Sequence, residues 1–103
     1  MNPAKKKCRL RWTRRARTDL VSIGKFIARD NPAAALEWIG RIRKKALQAA
    51  RMPFSGRVVP EMARDDVREV LLNKYRIVYR VLEKKIHILT VFEGHRLLPK
   101  GVD

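Results

Sequence analysis

The sequence is short of most residues that site chemistry draws on. Cys8 is the single cysteine, so no disulfide closes within the chain and no cysteine cluster holds a metal. Its two histidines, His87 and His95, stand apart, which is too few ligands too far separated for a zinc site. Glycine is sparse at five residues, and none falls in a phosphate-cradling loop or a nucleophile elbow. No apolar run approaches the roughly 20 residues that span a bilayer. Lys5, Lys6 and Lys7 are followed at once by Arg9 and Arg11, which interrupts any secretory-type apolar stretch. Together these absences predict a cytoplasmic protein with no cofactor, no bound metal and no membrane partner.

Acidic residues are scarce too. Ten Asp and Glu face 25 Lys and Arg, for a net charge of +15. Such an excess repels itself in the compact state and exceeds the charge of roughly 2–8 that solubility needs. It implies a partner of opposite sign, whether a nucleic acid, an acidic membrane surface or an acidic protein.

What is present is enough for one globular domain over residues 1–103, with 1–7 as a loose basic lead-in. Cys8, Leu10 and Trp12 alternate with Arg9 and Arg11, a short strand at period two. Thr13 fits a helix N-cap. Ala16, Leu20, Ile23 and Ile27 then form one stripe of a helix over about 14–30. Asp30-Asn31-Pro32 ends it and starts a second helix over about 32–51, with Asn31 as cap and Pro32 in the first turn. Its stripe is Ala35, Ile39, Ile42, Ala46 and Ala49. So short a turn between two stripes predicts a helical hairpin. After a Pro53 and Gly56 loop, and a short extended piece at Val58 and Val59, three strands follow at about 67–72, 75–82 and 86–92. The turns between them are tight, which predicts an antiparallel meander. The fold class is α+β: a small antiparallel-rich sheet in the order β-α-α-β-β-β, with the hairpin on one face and the first strand joining the sheet beside the meander.

The strands carry two mixed faces. Tyr75, Ile77, Tyr79 and Val81 share one; Arg76, Val78, Arg80 and Leu82 share the other. In the last strand, Ile86, Ile88, Thr90 and Phe92 oppose His87, Leu89, Val91 and Glu93. The hairpin covers only one side. The other is either an exposed mixture of apolar and arginine side chains awaiting a partner or is covered by residues 1–7, by 58–66 or by the C-terminal tail. Sheet edges offer docking by strand addition as well. Arg68, Arg76 and Arg80, with His95 and Arg96 after the last strand, form a candidate cationic cluster. If the three strand arginines point the same way, they suit phosphate binding. With His95 or Tyr79 moving a proton, the same set suits RNA cleavage.

The run Arg68-Glu69-Val70 with Tyr75-Arg76-Ile77-Val78-Tyr79-Arg80-Val81 resembles the central strands of RelE/ParE toxins. Pro53 with Gly56-Arg57 and Pro60-Glu61 resembles the loop before them, and Val91-Phe92-Glu93-Gly94-His95-Arg96 resembles the last strand with its Gly-x-Arg tail. Asp19-Leu20, Ile23 and Asp30-Asn31-Pro32 fit the family's hairpin, so the resemblance spans about residues 9–99. It implies a growth-inhibiting toxin of a type II toxin–antitoxin (plasmid stabilisation) module, neutralised by an often acidic antitoxin. The antitoxin is expected on the mixed face around Arg68, Arg76, Val78, Arg80, Leu82, Leu89, Val91 and Arg96, or in the groove beside the hairpin. Two activities follow from the resemblance: ParE-like binding to DNA gyrase, or RelE-like cleavage of mRNA on the ribosome. A nuclease would use Arg68, Arg76, Tyr79, His95 and Arg96. Three departures favour gyrase. Leu71-Leu72 stand where nucleases carry an arginine, no aromatic follows Phe92, and Glu93 replaces a frequent histidine. A plain nucleic-acid-binding module is the remaining alternative.

Overall fold

Thr13 decides where the first strand stops and the first helix starts. In the computed structural model, which describes residues 9–102, its hydroxyl accepts from the Ala16 amide (3.1 Å) and donates to the Ile88 carbonyl (2.9 Å). One side chain therefore caps α1 (Arg14–Ala28) and pins it to the sheet. Strand β1 (Arg9–Trp12) ends just before it. Cys8 and residues 1–7, with the roles expected of them, lie outside the described residues. The amides of Asp30 and Asn31 both turn back onto the Ile27 carbonyl, which ends α1 two residues earlier than the periodicity predicts. Asn31 then caps α2 (Pro32–Arg51) by accepting from the Ala34 amide at 3.1 Å.

Four strands follow: β2 (Arg57–Val58), β3 (Val67–Leu72), β4 (Tyr75–Leu82) and β5 (Lys85–Glu93). The order across the sheet is β1-β5-β4-β3-β2. The meander is antiparallel, as expected, while β1 lies parallel to β5 with Leu10 opposite Ile86 and Trp12 opposite Ile88. The hairpin covers one face: Ala16, Leu20, Ile42, Ala46 and Ala49 pack on Tyr75, Ile77, Tyr79, Ile86, Ile88 and Val91. The α+β reading with a helical hairpin on the sheet holds.

Two expectations do not. The pairing jumps between Val78–Thr90 and Tyr79–Ile88, so Leu89 is an extra residue and β5 bulges there. From the bulge onward the parity of β5 reverses. Val91 faces the helices and Phe92 faces away, the opposite of strict alternation. Asp19 holds the bulge in place, accepting from the Thr90 hydroxyl and from the Val91 amide (3.1 Å).

The second correction concerns the far face of the sheet. Val78, Leu89 and Phe92 are buried there, together with Val59, Val67 and Val102, and Met62 and Leu98 pack against them. The 59–66 segment and the C-terminal tail therefore seal the surface that the strand pattern left open. Val78, Leu89 and Val91 are core residues, not a docking face. Of the expected docking residues on that side Arg80 and Leu82 stay partly exposed, as do the neighbouring Leu71 and His87.

Tyr79 shows how tightly the helix-side layer is built. Its ring is fully buried, and its hydroxyl donates to the Pro53 carbonyl at 2.6 Å. A Cβ on Gly56 would collide with that hydroxyl and stand 2.8 Å from the Glu69 carbonyl oxygen. Gly56→Ala is expected to lower stability by about 1–3 kcal/mol through overpacking, read as a lower thermal midpoint; an unchanged midpoint would show that the loop yields freely.

Candidate functional site

The five nuclease candidates are not brought together as one set: Arg76 and His95 line one hollow with Arg57, Arg68 lies beside Tyr79, and Arg96 stands apart from both pairs. Arg68 pairs across the sheet with Tyr79 and so lies on the helix side. Arg76 and Arg80 lie on the far side, opposite Phe92 and His87. Each arginine is held by its own chain. Arg68 donates to the carbonyls of Phe54 (3.1 Å) and Gly56 (3.0 Å) and to the Asp65 carboxylate (2.6 Å). Arg80 reaches Asp66 at 3.2 Å. Burial pushes the Tyr79 phenol above its ordinary value, so it is a poor proton donor or acceptor at neutral pH. His95 is exposed beside Glu93 (3.7 Å), and Arg96 is exposed on a different hollow, with Arg15 and Pro99.

Arg76 is the most committed of the set. Its Nε donates to Glu69 (2.6 Å), and its two terminal nitrogens grip both oxygens of Glu61 at 2.8 Å each. The guanidinium also lies 4.9 Å from the Phe92 ring centre. Glu69, whose side chain is fully buried, takes a second partner in Arg57. Bidentate pairing of this kind fills an arginine's fork, so no phosphate is bound there without displacing Glu61. The hydrogen bonds from Arg76 hold the Glu61 carboxyl at about 2, below its ordinary 4.5. A depressed folded-state value means that the stabilisation is present above pH 4.5 and is lost as pH falls toward 2. Acid titration of the thermal midpoint is expected to fall through that window, and Glu61→Gln is expected to flatten it.

A wide hollow lies elsewhere, beside the hairpin. A cavity of about 810 Å³ opens between β1, α1 and α2. Leu10, Trp12, Leu20, Val21, Ala35, Leu36 and Ile39 line it, with the small residues Gly24 and Ala28. Leu36 is 78% exposed and Val21 55%, so these apolar side chains face solvent where the hairpin has no further layer to pack on. Arg11, Arg17, Lys25 and Arg43 stand around it, and among the described residues no acidic one lines it. Arg17 is fixed by donating to the Trp12 carbonyl at 2.7 Å. Among the described residues β1 is the outermost strand of the sheet, and Leu10, Arg11 and Trp12 of its edge line the same hollow. This is the groove named as the second of the two expected docking surfaces. The individual residues lay hidden because Val21 and Leu36 fall off the core stripes and read as isolated surface apolar residues. Among the described residues no cluster of His, Cys, Asp and Glu suits a metal, and no helix is long and apolar enough to cross a membrane.

Residues 10–98 match the family described as the ParE toxin of the type II toxin–antitoxin system parDE. The candidate toxin Y4kP of Sinorhizobium fredii is 37% identical over 94 residues, covering 89% of this chain and 94% of that protein. Among solved structures, the chromosomal ParDE toxin–antitoxin system of P. aeruginosa superposes with a TM-score of 0.71 at 25% identity, covering 85% of this chain and 97% of the other. The toxin–antitoxin complex RelBE2 of Mycobacterium tuberculosis shares the fold, with a TM-score of 0.62 at 20% identity and coverage of 84% and 91%.

Proposed function

Since the chain belongs to the ParE toxin family of type II toxin–antitoxin systems, we propose that it inhibits DNA gyrase by binding, without chemistry of its own, and that an antitoxin silences it from the groove beside the hairpin. The observation that carries the first part is the arginine arrangement. Arg68 and Arg76 sit on opposite faces of the sheet, and Glu61 and Glu69 occupy the fork of Arg76. A ribonuclease of this fold needs those cations converged and free to meet developing phosphate charge. The groove supports the second part. An apolar hollow with a cationic rim, and no acidic lining among the described residues, suits an amphipathic segment with acidic flanks, laid in as a helix or added as a strand to β1. The neighbouring P. aeruginosa and M. tuberculosis structures are of paired toxin–antitoxin systems.

Purified protein is expected to block gyrase supercoiling of relaxed plasmid at micromolar concentration and to leave translated mRNA uncut in primer extension. Codon-specific cuts together with undisturbed supercoiling would replace this reading with mRNA cleavage on the ribosome.

A further inference from the structure

The positive charge is not spread evenly. Residues 9–51 hold 12 Lys and Arg against three acids, whereas residues 52–102 hold ten against six. In the second segment most acids are spent on arginines: Glu61 and Glu69 on Arg76, Asp65 on Arg68, Asp66 on Arg64 and Arg80. In the first, Asp19 is spent on the β5 bulge. The surplus therefore sits on β1 and the hairpin.

Part of it rims the groove. A second part lies on a different face of α2. Arg41, Lys44, Lys45, Gln48 and Arg51 recur at i, i+3, i+4, i+7 and i+10, one stripe of the helix. The groove wall uses Ala35, Leu36, Ile39 and Arg43, on another face. Among the described residues no carboxylate lies within ion-pair distance of Lys44, Lys45 or Arg51. From Arg41 to Arg51 the stripe extends about 15 Å along the axis.

We propose that this stripe is a contact surface for the phosphate backbone of duplex DNA, separate from the groove. Charge density is the first argument: duplex DNA offers a negative charge about every 1.7 Å, so a 15 Å row of cations meets several at once. The absence of grease is the second. The stripe's five residues include no large apolar side chain, and the exposed Leu47 that flanks them is a single residue where lipid insertion needs a broad apolar face. The stripe offers no free aromatic for stacking on unpaired bases, because the Trp38 ring is covered by Arg41 at 4.2 Å and abuts Tyr75 at 5.9 Å. Four cations against a single amide, Gln48, fit backbone contact with little sequence preference. This inference does not depend on gyrase being the target.

The test is fluorescence anisotropy of a labelled duplex with the purified full chain, titrated between about 50 and 200 mM salt. A triple variant Lys44→Gln, Lys45→Gln, Arg51→Gln leaves Arg41 on Trp38. A control of equal charge loss, Lys74→Gln, Lys84→Gln, Lys100→Gln, lies on the sheet half. The stripe variant is expected to weaken binding about tenfold or more and to reduce the log–log salt slope by about 2–3, at roughly 0.9 per lost phosphate contact. The control is expected to change the slope by less than about 1. Equal losses in both variants would mean that net charge alone holds DNA, and an unaffected stripe variant would place DNA elsewhere; either overturns the proposal. So would loss of binding to phosphatidylserine vesicles by the stripe variant with duplex binding intact.

Discussion

Arg76→Ala is expected to cost about 3–5 kcal/mol of folding stability, a loss large enough to unfold much of the protein at 37 °C. The size follows from what the substitution leaves behind. Glu69 has no exposed side-chain surface and depends on Arg76 from one side and the half-exposed Arg57 from the other. Without Arg76 its charge is buried with only one partner, Glu61 loses both of its hydrogen bonds from the guanidinium, and the Phe92 ring loses the group stacked on it. Replacing the pair together, as Arg76→Met with Glu69→Leu, is expected to recover much of the loss, because a buried ion pair is costly chiefly when one half is missing. Urea melts of the single and double variants decide this. A single-variant loss below about 1 kcal/mol would mean that water reaches the network and that its charges are screened.

Leu36→Glu is expected to weaken antitoxin binding by about two to three orders of magnitude while leaving the thermal midpoint where it was. Leu36 is 78% exposed, so the fold makes little use of it. In the complex proposed here the same side chain is covered by the partner's apolar face. A buried anchor residue is worth about 2–4 kcal/mol, and each 1.4 kcal/mol is a factor of ten. Glutamate adds repulsion toward an acidic segment and places an unpaired charge in a dry contact. The measurement is a titration against the protein encoded by the reading frame adjacent to this one. An affinity within about threefold of wild type, roughly 0.6 kcal/mol, would move the antitoxin off the groove.

The hairpin and the meander were legible because their signals are periodic. Ala16, Leu20, Ile42 and Ala46 announce helices at a 3.6-residue period, Thr13 and Asn31 are caps, and 75–82 reads as a strand from its β-branched and aromatic content. What escaped has no period. A single extra residue at Leu89 reverses which side Val91 and Phe92 take, and nothing in the run Ile86-His87-Ile88-Leu89-Thr90 marks a bulge. The cover over the far face comes from Val59, Met62, Leu98 and Val102, isolated apolar residues in irregular segments. Alternation alone therefore left open whether a partner or the chain's own 58–66 segment and tail covers that face, and the chain fills it. The arginine cluster failed for a related reason. Arg68 and Arg76 share parity in number, but register sets Arg68 beside Tyr79 and sends the two side chains to opposite faces. The groove was foreseeable only as a place, since its lining joins residues of β1, α1 and α2 that lie far apart in sequence.

Amide hydrogen exchange on the toxin with and without its antitoxin tests where the molecule is met by its regulator. The account predicts new protection along β1, in α1 around residues 17–28 and in α2 around residues 32–43, with strands β3 and β4 exchanging as before. Protection confined to 59–66, β3, β4 and the C-terminal tail, with the hairpin untouched, would contradict it.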